Sequence, residues 1–264
     1  MNYIGIRGHR GSGKQTVAYL LGQTIDWILS DNFKDTYEND FKRWCNNIIK
    51  DEDIINEVSL IKVYFDSFGD SPKTFVSLLL GMDPGTTNND YYKDHTIINL
   101  KDFSYKVYDD IPDDIECLNA EELYKLFNAK KEPATILKDI YITLREFVMY
   151  FGKEVMQRYF GLNVWVKTLR ASEEWYQSTY NDKNYYKIYY DIKFPSEVTY
   201  IKDKNGVIVK VSRPGSKKKG KDRLLHDDRY DYEVIIGDSL YDLKDTIYEI
   251  AEEIIKNNTY GKEN

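Results

Sequence analysis

The stretch GHRGSGKQT, residues 8–16, lies between a short apolar run and the first amphipathic stretch of the chain. A glycine, four residues and then Gly-Lys is the spacing of a phosphate-binding loop. Glycines let successive backbone N–H groups turn inward around phosphate oxygens, and the N-terminus of the following helix adds a partial positive charge. Residues 3–7 have the composition of a buried strand, and apolar side chains recur at helical spacing over residues 17–28. The sequence therefore predicts the strand, loop and helix order that such a loop requires.

The loop is predicted to bind a nucleotide. Lys14 is expected to reach the β- and γ-phosphates. Gln15 stands where a serine or threonine hydroxyl usually binds Mg²⁺, and Thr16 follows one position late. We predict Thr16 as a metal ligand, with Gln15 able to hold a metal-bound water; a glycine-rich turn without a ligand is the alternative. The predicted nucleotide-binding residues of the loop are Gly8, Arg10, Gly11, Ser12, Gly13, Lys14, Gln15 and Thr16.

Composition limits the classes of partner. The 264 residues carry a net charge of −7 and give a pI of about 5.2, so no general attraction to nucleic acid or to an anionic membrane is expected. Cys45 and Cys117 are far apart and form neither a disulfide framework nor a zinc spacing. The first ten residues lack the apolar core of a signal peptide. These features predict a soluble protein of the cytoplasm.

Strands alternate with helices along the chain, which predicts a mostly parallel five-stranded sheet covered by helices on both faces, an α/β three-layer fold. The predicted strands are residues 3–7, 58–65, 185–190, 207–211 and 233–236. We interpret the chain as a single domain, residues 1–264, with an inserted subdomain at about 85–134. Within it, residues 86–94 are predicted as a loop, 96–100 and 104–108 as a hairpin, and 121–127 as a helix. Residues 134–160 are predicted to be helical.

Three further segments are informative in combination with the loop. They are SFGDSPK at 67–73, LREFVMYFGKEVMQRYFGLNVWV at 144–166 and YYDIKFPSEVTYIKDKNGVIVKVSRP at 189–214. Together with GKQT, these resemble the deoxynucleoside monophosphate kinases of bacteriophages, over both ends of the chain but not over residues 85–134. The resemblance implies a P-loop kinase fold, ATP and Mg²⁺ as cofactors, a deoxynucleoside monophosphate as substrate, and the cytoplasm of a phage host. Lys153, Lys193 and Ser196 depart from that family's usual threonine, arginine and asparagine.

The resemblance also implies roles for individual residues. The implied catalytic residues are Lys14, Arg145, Asp191 and Lys193, with Asp191 also a metal ligand and Arg213 on the nucleotide. The implied substrate-binding residues are Ser67, Phe68, Lys73, Arg145, Gly152, Arg158, Trp165, Asp191 and Glu197. Each has a structural alternative: a solvated arginine for Arg145 and Arg158, core packing for Phe68 and Trp165, and a helix cap for Asp191 and Glu197.

The chemistry of the residues agrees with a kinase acting on a monophosphate. The second pKa of a phosphate monoester is about 6, so the acceptor is already anionic and needs no general base. Such an enzyme has to bring two anions together and neutralise them, which predicts convergent arginines and lysines. The alternatives are another small-molecule kinase of this fold and a nucleotide-binding module with impaired catalysis.

Residues 213–228 form a basic segment that begins RPGSKKKGKDR, with six basic residues against one acid in its first eleven. We predict a lid that closes over the triphosphate; a nucleic-acid patch and a solvated loop are the alternatives. The expected partners are the nucleotide substrates, without membrane or nucleic acid, and a homodimer formed through the insertion is a further possibility.

Overall fold

The structure is a computed structural model that describes residues 1–9, 11–30, 36–50, 60–128, 139–179, 185–214 and 229–260. The chain divides into two compact units. The core unit comprises Met1–Phe68 and Glu173–Asn264, and the inserted unit comprises Gly69–Ser172.

The elements follow in chain order. The strands are β1 Asn2–Gly8, β2 Val63–Asp66, β3 Thr96–Asn99, β4 Ser104–Val107, β5 Cys117–Leu118, β6 Tyr141–Thr143, β7 Tyr186–Ile192, β8 Val207–Ser212 and β9 Tyr232–Ile235. The helices are α1 Lys14–Leu29, α2 Tyr37–Lys50, α3 Asp70–Leu80, α4 Pro84–Asn88, α5 Asp90–His95, α6 Ala120–Asn128, α7 Leu144–Met149, α8 Arg158–Phe160, α9 Val164–Thr179, α10 Pro195–Asp203 and α11 Lys244–Tyr260. A π-helical segment, Tyr150–Gln157, joins α7 to α8, and a 3₁₀ turn, Leu240–Leu243, precedes α11.

The core unit is built on a five-stranded sheet in the order β2-β7-β1-β8-β9. All four strand pairings are parallel, which confirms the predicted parallel sheet. Strand β1 lies at the centre, β2 and β7 lie on one side of it, and β8 and β9 lie on the other. The order in which the strands follow along the chain therefore reverses next to β1. Ligands of open parallel sheets bind outside the carboxyl ends of the strands at such a reversal.

Helices cover both faces of this sheet, as predicted. Successive side chains of a strand point to opposite faces. Ile4 and Ile6 of β1 therefore join the apolar cluster formed with α1, α2 and α11. Tyr3 points to the other face, where its ring meets that of Tyr200 on α10 edge to face at 6.4 Å. Burial of apolar side chains on both faces is the main stabilising term of such a three-layer arrangement.

The inserted unit has its own sheet, in the order β4-β3-β6-β5. The β3–β4 pair is antiparallel, which confirms the predicted hairpin. Its core includes Val76 of α3, Ile98 of β3, Leu123 of α6 and Ile142 of β6. The insertion predicted at about 85–134 lies inside this unit, which also takes in α3 and the chain from β6 to Ser172.

Two local predictions for the inserted unit are wrong. Of the helix predicted over 134–160, residues 134–138 are outside the described residues, and Tyr141–Thr143 pairs with β3 as a strand, so that α7 begins at Leu144. The side chain of Thr143 then caps α7 by accepting a hydrogen bond from the Glu146 N–H. The loop predicted over 86–94 is instead formed largely by α4 and α5, which are short helices capped by the side chains of Asp83 and Asn89.

Along the described part of the chain, none of the helices combines the length and apolar content needed to cross a lipid bilayer.

Candidate functional site

The glycine-rich loop connects the central strand to α1, as the sequence predicts. Gly11 and Gly13 have φ values of 76° and 87°, in the left-handed region that glycine adopts without strain. Gly13 is the N-cap of α1; no described side chain caps this helix, and its first turn contains no acidic residue. Among the described residues, neither a cap nor an acid of the first turn offsets the partial positive charge of the helix N-terminus, which suits an anionic ligand.

Lys14 lies over the loop to which it belongs. Its Nζ donates hydrogen bonds to the carbonyl oxygens of Gly8 and His9, at 3.0 and 2.9 Å. Both acceptors are neutral backbone carbonyls of the loop itself. From this position, the Lys14 ammonium group could donate to phosphate oxygens in place of the two carbonyl oxygens when a nucleotide binds.

Ser12 supplies an independent sign of an anion site. Its side chain is only 1% exposed, and its Oγ has no hydrogen-bond partner among the described residues. A buried hydroxyl without a partner costs about 1–3 kcal/mol. A phosphate oxygen held in the loop would accept the hydrogen bond that the Ser12 hydroxyl offers, so the residues present fit a bound nucleotide phosphate.

Gly8 is required for a close approach between the loop and β8. A Cβ at residue 8 would lie 2.5 Å from the carbonyl oxygen of Val211 and 2.5 Å from Ser12 Oγ. Because the first contact is with backbone, we expect Gly8→Ala to lower the free energy of unfolding by about 2–3 kcal/mol. Gly237→Ala is the matched control, since a Cβ there meets nothing within 4 Å. Urea unfolding of both variants tests this; equal stabilities would contradict it.

The strand ends next to the loop carry the other predicted residues of the core unit. Gly5 and Arg7 of β1 are in register with Tyr189 and Ile192 of β7, so Asp191 lies beside the end of β1. On the other side, Gly8 is in register with Val211 of β8. Since neighbouring strands are about 4.8 Å apart, the loop, Asp191 and the exposed Arg213 after β8 share the carboxyl edge of the sheet.

Asp191 links the ends of two strands. Its Oδ1 accepts a hydrogen bond from the Phe68 N–H at 3.2 Å, beyond β2, and its Oδ2 forms an ion pair with Lys193 Nζ at 3.2 Å. The carboxylate is largely buried, whereas Lys193 is more than half exposed. Lys193 can therefore reorient toward an incoming anion while Asp191 stays fixed by backbone.

Glu197 has the capping role among its two predicted alternatives. Its Oε2 accepts hydrogen bonds from the backbone N–H groups of Lys193 and Phe194, at 2.6 and 2.9 Å, at the start of α10. The side chain is buried. Burial and, after it, the nearby Asp191 carboxylate raise the pKa of Glu197 to about 7, against the opposing effect of the two backbone N–H groups. A contact of Glu197 with a base stays a prediction that this burial does not favour.

The raised pKa makes stability depend on pH. Between pH 4.5 and 7 the unfolded chain ionises Glu197 while the folded chain keeps it protonated, so the stability that this group contributes is lost as pH rises through the folded pKa. We expect the wild type to lose about 3 kcal/mol over this range relative to Glu197→Gln. Urea unfolding of both proteins at pH 4.5 and pH 7 measures the difference. Equal changes in the two proteins would show that Glu197 has an ordinary pKa.

Ser67 and Phe68, predicted to line the acceptor pocket, are both buried. The Phe68 ring stacks on that of Tyr189 with centroids 4.7 Å apart and meets Tyr200 edge to face at 5.9 Å. These contacts give Phe68 the packing role that the sequence left open. Its backbone N–H, bonded to Asp191, is its connection to the carboxyl edge.

The sequence reading missed a buried polar cluster on the same face of the core sheet. The Glu173 carboxylate accepts hydrogen bonds from the hydroxyls of Tyr3, Tyr189 and Tyr200. Lys187 Nζ lies 3.0 Å from Glu173 Oε1 and 2.7 Å from Asp66 Oδ2. Glu173 is one of two adjacent glutamates on a helix, and nothing in its sequence neighbourhood distinguishes it from a solvated residue.

In the inserted unit, the predicted phosphate-binding cations Lys73 and Arg145 have carboxylate partners. Lys73 Nζ lies 3.0 Å from Asp70 Oδ1. Arg145 donates from Nε and Nη2 to Asp94 and from Nη2 to Asp90 at 3.1 Å. Hydrogen bonding to Asp94 raises the pKa of Arg145 above its usual range. The sequence analysis did not predict Asp90 and Asp94 as partners of Arg145, because it predicted a loop at these positions.

Three other predicted substrate residues have packing contacts in the inserted unit. The indole N–H of buried Trp165 donates to the Gly152 carbonyl oxygen at 3.2 Å. Arg158 pairs with Glu154 at 3.3 Å and lies 3.9 Å from the centroid of the Tyr124 ring. Stacking of Trp165 on a base and phosphate binding by Arg158 stay predictions, and these contacts favour the structural alternatives.

Two predicted features are outside the described residues: Arg10 in the loop, and the basic segment beyond Pro214 up to residue 228. Thr16, the predicted metal ligand of the loop, is half-buried and Gln15 is exposed. The described residues contain no cluster of three or more His, Cys, Asp or Glu side chains arranged to hold a metal. Mg²⁺ in phosphoryl-transfer sites is held largely by water and substrate phosphates, so one or two protein oxygens suffice.

Comparison of the chain with protein-family models finds no match, and comparison with curated proteins finds none either.

Proposed function

We propose that the chain is an ATP-dependent deoxynucleoside monophosphate kinase that transfers the γ-phosphate of ATP to a dNMP and forms a dNDP. The observation that carries the proposal is the buried Ser12 hydroxyl without a described partner, in a glycine loop over which the Lys14 ammonium lies. The loop stands at the carboxyl edge of a parallel sheet, beside Asp191. The resemblance of three further segments to phage enzymes supports the choice of acceptor.

The transfer needs no proton abstraction. An oxygen of the acceptor phosphate forms a bond to the γ-phosphorus of ATP, the bond from that phosphorus to the β,γ-bridging oxygen breaks, and ADP leaves with the electron pair. The acceptor is already anionic, since its second pKa is about 6. What the protein has to supply is positioning and positive charge.

Each loop group has a defined part in this transfer. The Lys14 ammonium would bind β- and γ-phosphate oxygens, and the Ser12 hydroxyl and the N-terminus of α1 would donate to the same phosphates. Thr16 and Asp191 would hold Mg²⁺ directly or through water. When bound, Mg²⁺ would neutralise charge on the phosphates. Lys193, exposed beside Asp191, would steer the acceptor anion.

A panel of acceptors tests the proposal. The protein is incubated with ATP, Mg²⁺ and, in separate reactions, each of the four dNMPs, the four NMPs and a set of non-nucleotide phosphates and alcohols, and the products are separated by ion-exchange chromatography. We expect dNDP and ADP in equal amounts with one or more dNMPs. Transfer only to non-nucleotide acceptors would replace this proposal with a different small-molecule kinase.

A nucleotide-binding module without transfer is the second candidate, and one observation favours it. Lys73, Arg145 and Arg158 of the inserted unit are all ion-paired within the chain. If these ion pairs persist when nucleotides are present, Lys73, Arg145 and Arg158 cannot bind the phosphate of an acceptor. This candidate predicts that ATP binds in titration calorimetry while no acceptor in the panel is phosphorylated.

A further inference from the structure

A lysine that the sequence reading did not single out shares an acceptor atom with Arg145. Lys93 Nζ lies 2.6 Å from Asp90 Oδ1, and Arg145 Nη2 lies 3.1 Å from the same oxygen. Two cationic donors thus converge on one point, which an anionic oxygen occupies. A lysine and an arginine that donate to the same point can also bind a phosphate oxygen there.

The two cations are more buried than the acid that pairs with them. The side chains of Lys93 and Arg145 are 13% and 24% exposed, whereas that of Asp90 is 75% exposed. The cations are fixed in the protein, and the carboxylate reaches them from the solvent side. Displacing Asp90 would return a carboxylate to water at little cost, while removing either cation would disturb buried structure.

The remaining neighbours define the rest of the cluster. Asp94 holds the Arg145 guanidinium by two donors, Nε and Nη2, and so fixes its plane. Lys73, paired with Asp70 and bonded to Asn88 Oδ1, is close enough to Lys93 to act on it electrostatically. Burial lowers the pKa of Lys93, the Asp90 carboxylate opposes this shift, and the charges of Lys73 and Arg145 add to the lowering. A ligand that brings more negative charge to this point than one carboxylate would reduce that repulsion further.

We propose that Lys93 and Arg145, with Lys73 beside them, form a binding site for a phosphate monoester, and that the Asp90 carboxylate occupies the place of the phosphate until the ligand binds. A monoester phosphate carries about −1.5 to −2 charges and three acceptor oxygens, more than the carboxylate that it displaces. The identification of the monoester as the dNMP acceptor rests on the proposed function. The site itself rests only on the contacts of the inserted unit.

Opposite effects of two variants test this site. Titration calorimetry measures binding of the four dNMPs, their nucleosides and inorganic phosphate to the full chain without ATP. Lys93→Met is expected to weaken dNMP binding by about 10- to 100-fold, the worth of one charge-assisted hydrogen bond. Asp90→Asn is expected to tighten it by about 3- to 10-fold, because a competing occupant is weakened. Nucleoside binding should change in neither variant.

Matched controls separate charge from folding. Lys125→Met removes an exposed lysine of the same unit, paired with Glu121, and should leave dNMP binding unchanged. Lys93→Arg keeps the charge and should restore most of the affinity. If Lys93→Met fails to fold, as judged by circular dichroism, Asp90→Asn carries the test alone.

The outcomes distinguish this inference from the proposed function. Phosphate transfer by the wild type, together with dNMP affinities of Lys93→Met and Asp90→Asn within twofold of it, would overturn the site and leave the kinase. Binding of dNMP or inorganic phosphate that follows the predicted pattern, in a protein that transfers no phosphate, would support the site and overturn the kinase.

Discussion

Replacement of Lys14 by alanine is expected to reduce phosphate transfer from ATP to the best dNMP acceptor by about 10³-fold or more. The ammonium group lies over the loop on two carbonyl oxygens and carries the charge that would stabilise the transferring phosphate. Initial rates at saturating ATP and dNMP, measured with a coupled assay for ADP, give the effect. Thermal unfolding of the variant shows whether the fold is retained.

The control for Lys14→Ala is Lys256→Ala. Lys256 is an exposed lysine of α11 that pairs with Glu252 one turn earlier. Its loss should leave the transfer rate within twofold of the wild type, since exposed pairs of this kind contribute little. Normal turnover by Lys14→Ala would show that Lys14 does not bind the reacting phosphates.

Glu173→Ala is expected to lower the free energy of unfolding by about 3–5 kcal/mol. The substitution removes the acceptor of three tyrosine hydroxyls and one partner of Lys187, all on one face of the sheet. Removing one member of a buried charged cluster leaves the others without compensation. Urea unfolding followed by circular dichroism measures the loss.

Two further variants calibrate the Glu173 effect. Glu249→Ala, at an exposed position of α11, should change the free energy of unfolding by no more than about 0.5 kcal/mol. Tyr3→Phe removes only the longest of the three hydroxyl contacts, at 3.3 Å, and should cost about 1 kcal/mol. A Glu173→Ala variant as stable as Glu249→Ala would mean that the cluster does not contribute to stability.

The parallel sheet and its loop were predictable because their signals are local. Residues 3–6 carry no polar side chain other than the hydroxyl of Tyr3, as suits a strand buried on both faces, and the glycine spacing follows directly. The hairpin at β3 and β4 was also predictable from two short strands separated by a turn. Asp191 could be assigned to the carboxyl edge because it ends an apolar run, and the register of β7 with β1 bears out its position.

The errors have long-range causes. Strand β6 is three residues long, and its pairing with β3, more than 40 residues away, and with β5 makes it a strand. Helices α4 and α5 exist because Asp83 and Asn89 cap them, although their composition is that of a loop. Lys93 lies in this segment, so its convergence with Arg145 could not be seen without the fold.

The roles of single charged residues were the least predictable part of the candidate site. In the sequence, Glu197 is equally compatible with a substrate contact and with a helix cap. The hydrogen bonds that it accepts from two backbone N–H groups show that it caps the helix. Glu173 gives no sequence signal, because its partners Tyr3, Tyr189 and Tyr200 come from three separate elements. Which charge a side chain meets depends on packing that no local pattern encodes.

The location of bound ATP tests the central claim most directly. Backbone amide resonances of the ¹⁵N-labelled, deuterated protein are recorded with and without ATP and Mg²⁺. We expect the largest shifts at Gly11, Gly13, Lys14 and Thr16, with smaller shifts at Asp191. If ATP binds and these resonances stay unchanged while residues elsewhere shift, the glycine loop is not the nucleotide site and the proposed kinase is wrong.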